Sequence, residues 1–335
     1  LGSVILTGGT LLRAVFSPDD KNLLTCGMDN QTRLWGLSNR KFIALPHAKA
    51  VRDGAFTQNG KKVITGGDDM TLKVWDTQTG REWGKPLNTG IKIAQVLLSP
   101  DGEKVAVLGL DGALKLYPVK KEGASPLLKG VHSVRSAAFS PDSQTLLAAV
   151  GSNAELWDAA SGKRLRVFKH GRPISSILID PDSKTMVTIG SDGTARLWDP
   201  ATGESIGNPL KHENPVQASA FSPYGSALLL AYQNGTWQLW DIKTAEPIGV
   251  ETRLGTIAQV VGFTAGAKTL RILGRNGHLF QTNTFWIDPD TNPNKLLAAS
   301  QVAGLCQVDS QGSIEPVSQT EWLKLASQYL KNPLP

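Results

Sequence analysis

The sequence has little of what most metal-binding or catalytic chains display. It holds two cysteines, Cys26 and Cys306, and five histidines in 335 residues. The cysteines lie far apart and outside any CxxC or similar ligand spacing. Neither a disulfide framework nor a zinc site is expected, and both are read as reduced, buried thiols. No run of about 18 apolar residues occurs, so no membrane-spanning helix is expected. The opening Leu1-Gly2-Ser3-Val4-Ile5-Leu6 lacks the basic start and long apolar core of a signal peptide. It also lacks an initiator Met, so a piece of a longer protein is expected; the compartment stays open, with the cytoplasm favoured. Charge of one sign is not concentrated either. The 35 basic and 29 acidic residues leave a net charge of +6, and Lys61-Lys62 and Lys120-Lys121 are the longest basic runs. Nucleic-acid binding calls for a concentrated basic patch and is not expected.

What the chain does have is turns and a repeat. Thirty-four glycines and nineteen prolines suit an all-β fold with many hairpins. An apolar residue followed by a turn recurs at Phe16-Ser-Pro-Asp-Asp, Phe56-Thr-Gln-Asn-Gly, Leu98-Ser-Pro-Asp-Gly, Phe139-Ser-Pro-Asp-Ser, Ile179-Asp-Pro-Asp-Ser, Phe221-Ser-Pro-Tyr-Gly and Phe263-Thr-Ala-Gly-Ala. Pro presets φ for a turn, and Asp, Asn, Ser and Gly tolerate the remaining positions. The seven starts are 40, 42, 41, 40, 42 and 42 residues apart. In phase with them, aromatics end an alternating stretch at Trp35, Trp75, Tyr117, Trp157, Trp198, Trp240 and Phe280. Asp follows directly at Asp76, Asp158, Asp199 and Asp241. Each unit holds four short β-type runs; in the fifth they are Ile174–Ile179, Thr185–Ile189, Thr194–Trp198 and Glu204–Ile206. Runs at intervals of roughly 8–12 residues indicate hairpin-joined strands. One such sheet cannot bury both faces alone, so the units must stack.

Over residues 1–283 this pattern resembles the WD-repeat family, whose period is roughly 40–45 residues and whose signature dipeptide is Trp-Asp. The resemblance implies a seven-bladed β-propeller of four-stranded antiparallel blades. It also implies a hydrogen-bonded tetrad in two units: His47, Thr65, Asp69 and Trp75 in the second, and His170, Thr188, Asp192 and Trp198 in the fifth. A His–Asp–Thr set could be mistaken for a hydrolase triad, but here it recurs with the repeat and includes Trp. Other units depart from the pattern. The sixth has His212 but Leu230 and Asn234, the third has Asp111 and Tyr117 without a matching His, the fourth has Gly151 for Asp, and the seventh has Asn276 and Phe280.

By the offset seen in interior units, Ser3–Leu6 is expected as the outer strand of the last blade, with Phe285–Ile287 as the alternative. Residues 284–335 read as a linker and an extension packing on the propeller: a helix over Lys295–Leu305, a hairpin around Ser310-Gln-Gly, and a helix of about 319–331 opened by the capping box Ser318-Gln-Thr-Glu321. This order resembles the tail of bacterial WD-repeat regions beside serine/threonine protein kinase domains. No kinase signature occurs in the chain, so a catalytic part would lie upstream.

Carried over by position, the family's binding face takes Arg52, Lys92, Arg135, Ser175, Gln217 and Gln259 from the starts of the innermost strands. The turns before the tetrad Asp add Met28, Asp68, Leu110, Ser191, Gln233 and Arg275. With Asp68 as the one acid, this set suits a protein or peptide partner of acidic character, and an upstream domain of the same polypeptide is another candidate. A monomeric, non-catalytic scaffold without metal or cofactor is expected. The alternative is an enzyme or small-ligand binder with a site at the central channel, which would need an acid/base set or metal ligands that the repeat does not explain.

Overall fold

A computed structural model describes residues 10–39, 41–119, 126–263, 269–275, 279–283, 306–308 and 314–316. The secondary structure of these residues is strand and turn throughout, and the strands fall into two compact units, 1–179 and 180–335.

The first unit holds four complete sheets. They are β1 (Leu11–Phe16), β2 (Asn22–Gly27), β3 (Gln31–Gly36) and β4 (Phe42–Pro46); β5 (Val51–Phe56), β6 (Lys62–Gly67), β7 (Thr71–Asp76) and β8 (Leu87–Asn88); β9 (Ile93–Leu98), β10 (Lys104–Gly109), β11 (Leu114–Pro118) and β12 (Leu128–Val131); and β13 (Val134–Phe139), β14 (Thr145–Val150), β15 (Asn153–Asp158) and β16 (Arg164–Lys169). Strands follow chain order in each sheet, and neighbours are antiparallel. β17 (Ile174–Ile179) opens the fifth repeat and ends the unit. The second unit continues that repeat with β18 (Met186–Gly190), β19 (Thr194–Trp198) and β20 (Ser205–Lys211). It then forms the sixth sheet from β21 (Val216–Phe221), β22 (Ala227–Tyr232), β23 (Thr236–Asp241) and β24 (Pro247–Arg253). The seventh has β25 (Ala258–Phe263), β26 (Thr269–Gly274) and β27 (Leu279–Asn283). In fold class the chain is an all-β propeller of seven repeated antiparallel sheets.

The repeated turn builds each first hairpin locally. Ser17 Oγ bonds Asp19 Oδ1 at 2.6 Å and accepts Asn22 N–H at 2.9 Å, and Ser99 and Ser140 repeat the arrangement. The residue after the turn Asp or its equivalent takes positive φ: Asp20, Gly60, Gly102, Ser143, Ser183 and Gly225. That is the conformation Gly and short polar side chains adopt at least cost.

The core is a series of layers between sheets. Leu24, Cys26, Leu34, Leu45, Val51, Val63 and Trp75 fill the space between the first two sheets. Ile64, Leu72, Ile93, Val96, Val105, Val107 and Tyr117 fill the next, and Ala106, Leu116, Leu128, Ala137, Leu146 and Ala148 the third. In the second unit Leu229, Ala231, Leu239, Ala258, Leu270 and Ile272 do the same. The second strand of each sheet is therefore buried along nearly its whole length, as β6, β10 and β22 show. Gly54 marks one close approach between sheets: a Cβ there would meet Leu24 Cδ2 at 2.7 Å.

Two expectations are refined. β20 runs on to Lys211 rather than stopping at Ile206, because Gly207, at φ +62, lets the strand bulge and rejoin β19 at Leu210. In the extension, β28 (Cys306–Val308) pairs antiparallel with β29 (Ile314–Pro316) where a hairpin is expected. The closing strand Ser3–Leu6, its alternative Phe285–Ile287, and the helices over 295–305 and 319–331 lie outside the described residues.

Candidate functional site

The polar networks inside the sheets are the first place to look for chemistry. In the second sheet, Trp75 Nε1–H donates to Thr65 Oγ1 at 2.7 Å, Thr65 lies 2.8 Å from His47 Nε2, and His47 Nδ1 lies 2.8 Å from Asp69 Oδ2. Because Thr65 already accepts from Trp75, its hydroxyl donates to Nε2, which leaves the imidazole proton on Nδ1 facing Asp69. Asp69 also accepts from Ala48 N–H, Thr71 N–H and the Thr71 hydroxyl. Burial lowers the His47 pKa despite the opposing pull of Asp69, so the neutral ring is favoured. Thr65 is fully buried and its oxygen is committed to Trp75, so the set staples β6 to β7 and leaves no path for a substrate.

The same Trp-to-Thr bond recurs at Trp35–Thr25, 2.9 Å, and Trp198–Thr188, 2.8 Å. In the first sheet Asp29 is engaged by Arg33 at 2.7 Å, and in the fifth repeat His170 is buried. The sixth repeat substitutes a different staple: Trp240 Nε1–H donates to the Tyr232 hydroxyl at 3.2 Å, and His212 stacks on the Tyr232 ring. Among the described residues no three His, Cys, Asp or Glu side chains gather as metal ligands.

Four of the positions expected to bind a partner, Arg52, Arg135, Gln217 and Gln259, share one structural feature, and Leu12 joins them. The innermost strand bulges just after it begins, so the register skips Leu12, Arg52, Arg135, Gln217 and Gln259. A bulged residue leaves the ladder and re-aims its side chain. Beside four of these bulges, the residue after the second strand bonds back to the residue before the first: Met28 to Thr10, Asp68 to Ala50, Gln233 to Pro215 and Arg275 to Ile257. The third sheet corrects one position. Leu110 N–H bonds Lys92 O, and Ile93 pairs with Gly109, so Lys92 precedes the strand and Ala94 occupies the bulge.

Arg52 and Asp68 lie side by side across the second sheet, with Nε to Oδ1 at 2.6 Å and Nη2 to Oδ2 at 3.1 Å. This bidentate bond from Arg52 holds the Asp68 carboxyl below its usual range, and Lys92 and Lys49 add to the effect. The pair is largely self-neutralised, so the cationic character expected of this end is reduced. Arg135, Gln233, Gln259 and Arg275 are exposed, as are Ser175 and Ser191, while Gln217 is half-buried. At the same end of the first unit Met28 and Leu110 are 55% and 51% exposed, and Leu12 is also solvent-facing. Met28 and Leu110 stand among the positions expected from the sequence, whereas Leu12 does not, since an apolar residue in a strand-rich sequence reads as core.

Residues 4–36, 40–76 and 162–199 match the family described as WD domain, G-beta repeat. The chain is 27% identical over 205 residues to the mouse serine-threonine kinase receptor-associated protein, covering 57% of this chain and 55% of the relative. It is also 27% identical over 205 residues to the rat apoptotic protease-activating factor 1, with 57% of this chain and 16% of the relative aligned. The chain thus spans about half the length, or far less, of the curated relatives it matches. Its fold is similar to that of the computationally designed Ika8 protein, with a TM-score of 0.68 at 20% identity over 81% of this chain and 82% of that one. The matched repeats, the relatives and the repeated sheets are consistent with the WD-repeat β-propeller family.

Proposed function

We propose that this chain is a non-catalytic binding module that takes a protein segment on the bulged end of its sheets. The observation that carries the reading is the alignment of exposed side chains by the repeated bulge: Leu12 and Met28, the Arg52–Asp68 pair, Leu110 and Arg135 in the first unit. The second unit offers Gln217, Gln233, Gln259 and Arg275 at the equivalent positions. Exposed apolar side chains beside an arginine suit a partner with apolar residues and a carboxylate, since Arg and large apolar groups dominate interface energetics. Lys92, one step off the bulge, adds charge near Asp68. WD-repeat proteins serve as protein-interaction scaffolds, which supports a protein rather than a small-molecule ligand.

The chain would work as part of a longer bacterial signalling protein, with a serine/threonine kinase domain or another upstream domain of the polypeptide as partner. The order of elements expected from the sequence of the extension supports this. The curated relatives named above are animal proteins, and one of them is named for association with serine-threonine kinase receptors. In this setting the chain acts as a monomer.

The test compares the parent with a Met28→Asp, Leu110→Asp, Arg135→Glu variant in affinity capture from native extract, with folding checked by circular dichroism. A protein retained by the parent and lost by the folded variant supports the bulged end. Equal capture by both rejects that face.

A further inference from the structure

The outer strand of each sheet faces a hazard: its far edge carries backbone groups without a neighbouring strand. Most outer strands here are blunted. β4 ends in Pro46, β8 is two residues long and follows Gly84 and Pro86, β12 contains Gly130, β20 contains Gly207 and Pro209, and β24 contains Pro247 and Gly249. Proline cannot donate to an added strand, and glycine bulges bend the edge away. Among the described fourth strands longer than two residues, β16 alone has neither residue; it reads Arg-Leu-Arg-Val-Phe-Lys over Arg164–Lys169.

The register shows which groups of β16 face outward. His170 N–H bonds Ser152 O, and Ala154 pairs with Phe168 and Leu156 with Arg166. By antiparallel alternation, Phe168 and Arg166 direct their backbone groups to β15, while Val167 and Lys169 direct theirs away from the sheet. The side chains on this strand are open as well: Leu165 is 48% and Val167 41% exposed. Lys163 and Lys169 are exposed, and Arg164 bonds Glu155 at 2.9 Å. Glu155 is the one acid on β15 and β16 apart from Asp158, which is tied to Ser161 in the turn. The edge is thus kept single by cations alone.

We propose that β16 is a strand-addition site for an extended, acidic partner segment. The outward N–H and C=O groups of Val167 and Lys169 would supply the main-chain bonds. Val167 and Lys169 share one face of the strand, so carboxylates of the segment laid on that face would pair with Lys169, and Lys163 just before the strand would add charge. The cations that repel a second copy of the same strand attract a segment of opposite charge. This surface is separate from the bulged end, so the two can be tested independently.

The experiment uses the full chain and three fluorescein-labelled heptapeptides: alternating Glu and Val, the same with Lys for Glu, and the Glu peptide N-methylated at every second residue. Anisotropy is expected to show the Glu peptide binding at least tenfold tighter than the Lys peptide, with N-methylation on the pairing edge abolishing binding. A Val167→Pro change removes an outward N–H that the ladder does not use, and it should weaken the Glu peptide at least tenfold with the circular dichroism spectrum unchanged. Lys163→Glu with Lys169→Glu should do the same and raise affinity for the Lys peptide. Should Val167→Pro unfold, the N-methylated peptide and the charge reversal decide the matter. Equal binding of the Glu and Lys peptides, tolerance of N-methylation on either edge, or no binding at millimolar peptide would overturn the proposal. Met28→Asp with Leu110→Asp should leave this binding unchanged.

Discussion

The imidazole of His212 lies flat on the ring of Tyr232, with centroids 3.5 Å apart and planes 9° apart. Tyr232 is fully buried, and its hydroxyl accepts the Trp240 indole N–H. Burial first, and the nearby Glu251 second, push the phenol up to about 12, against the Trp240 bond. The sixth repeat has Leu230 where the first, second and fifth have Thr25, Thr65 and Thr188, so Tyr232, two residues further along the same strand face, supplies the oxygen instead. Tyr232→Phe keeps the stack and removes the acceptor, and it should cost about 1–2 kcal/mol in urea unfolding. Tyr232→Ala should cost about 3–5 kcal/mol, because it also leaves a cavity. Equal costs for the two would show that the hydroxyl bond contributes nothing beyond packing.

Thr65 serves two nitrogens at once, those of Trp75 and His47. Thr65→Val strands both in a buried site and should destabilise by about 2–4 kcal/mol, while Thr65→Ser should recover most of that. Denaturation midpoints of the two variants check it, and a Ser variant as unstable as the Val variant would contradict the hydrogen-bond account.

Stability should fall with pH in two steps. Burial lowers the His47 pKa in the folded chain, so below about pH 6.5 the unfolded state takes up a proton first and stability declines as pH drops. For Asp69, burial raises the pKa, but bonds from Thr71 and His47 outweigh it and hold the carboxyl low. Its contribution is complete above about pH 4 and is lost as pH falls through the folded value. Urea midpoints at pH 7.5 and 5.5 should differ for the parent and converge for His47→Asn. A parent with no such slope would rule out a buried neutral His47.

Asp53 ties three sheets of the first unit together. It is buried, accepts Val96 N–H at 2.9 Å, and lies 3.1 Å from Arg13 Nε. Asp53→Ala leaves Val96 and Arg13 without that carboxylate and should cost about 3 kcal/mol. Asp53→Asn keeps an acceptor for Val96 and should cost less. Thermal unfolding of the pair checks the order.

The Arg52–Asp68 pair is partly exposed, so its coupling should be modest. A double-mutant cycle with Arg52→Ala and Asp68→Ala should give at most about 1 kcal/mol at low salt. The coupling should shrink as salt is added. A larger, salt-independent coupling would mean the pair is less hydrated than its exposure indicates.

Much of the fold could be read along the chain because a propeller sheet is assembled from local hairpins. The period of Phe16, Phe56, Leu98 and their successors, the turn residues, and the aromatic residue on each third strand all act within one repeat. The His47–Thr65–Asp69–Trp75 set was legible for the same reason. Other features depend on pairing between strands. Whether Lys92 or Ala94 takes the bulge rests on which residue meets Gly109, and counting from the second repeat misses the two residues that lengthen the approach to β9. Arg52 reads as a free cation until the fold lays Asp68 against it.

The sequence by itself determined the number of repeats, their turns and the residues of the staple in the second repeat, since these need only contacts between residues close along the chain. Tertiary structure decided what stays exposed. Leu110, Leu165 and Val167 have the same apolar chemistry as Leu114 and Leu116 in the core, and only the layer of sheet laid over a side chain, or absent from it, separates a core residue from a surface one.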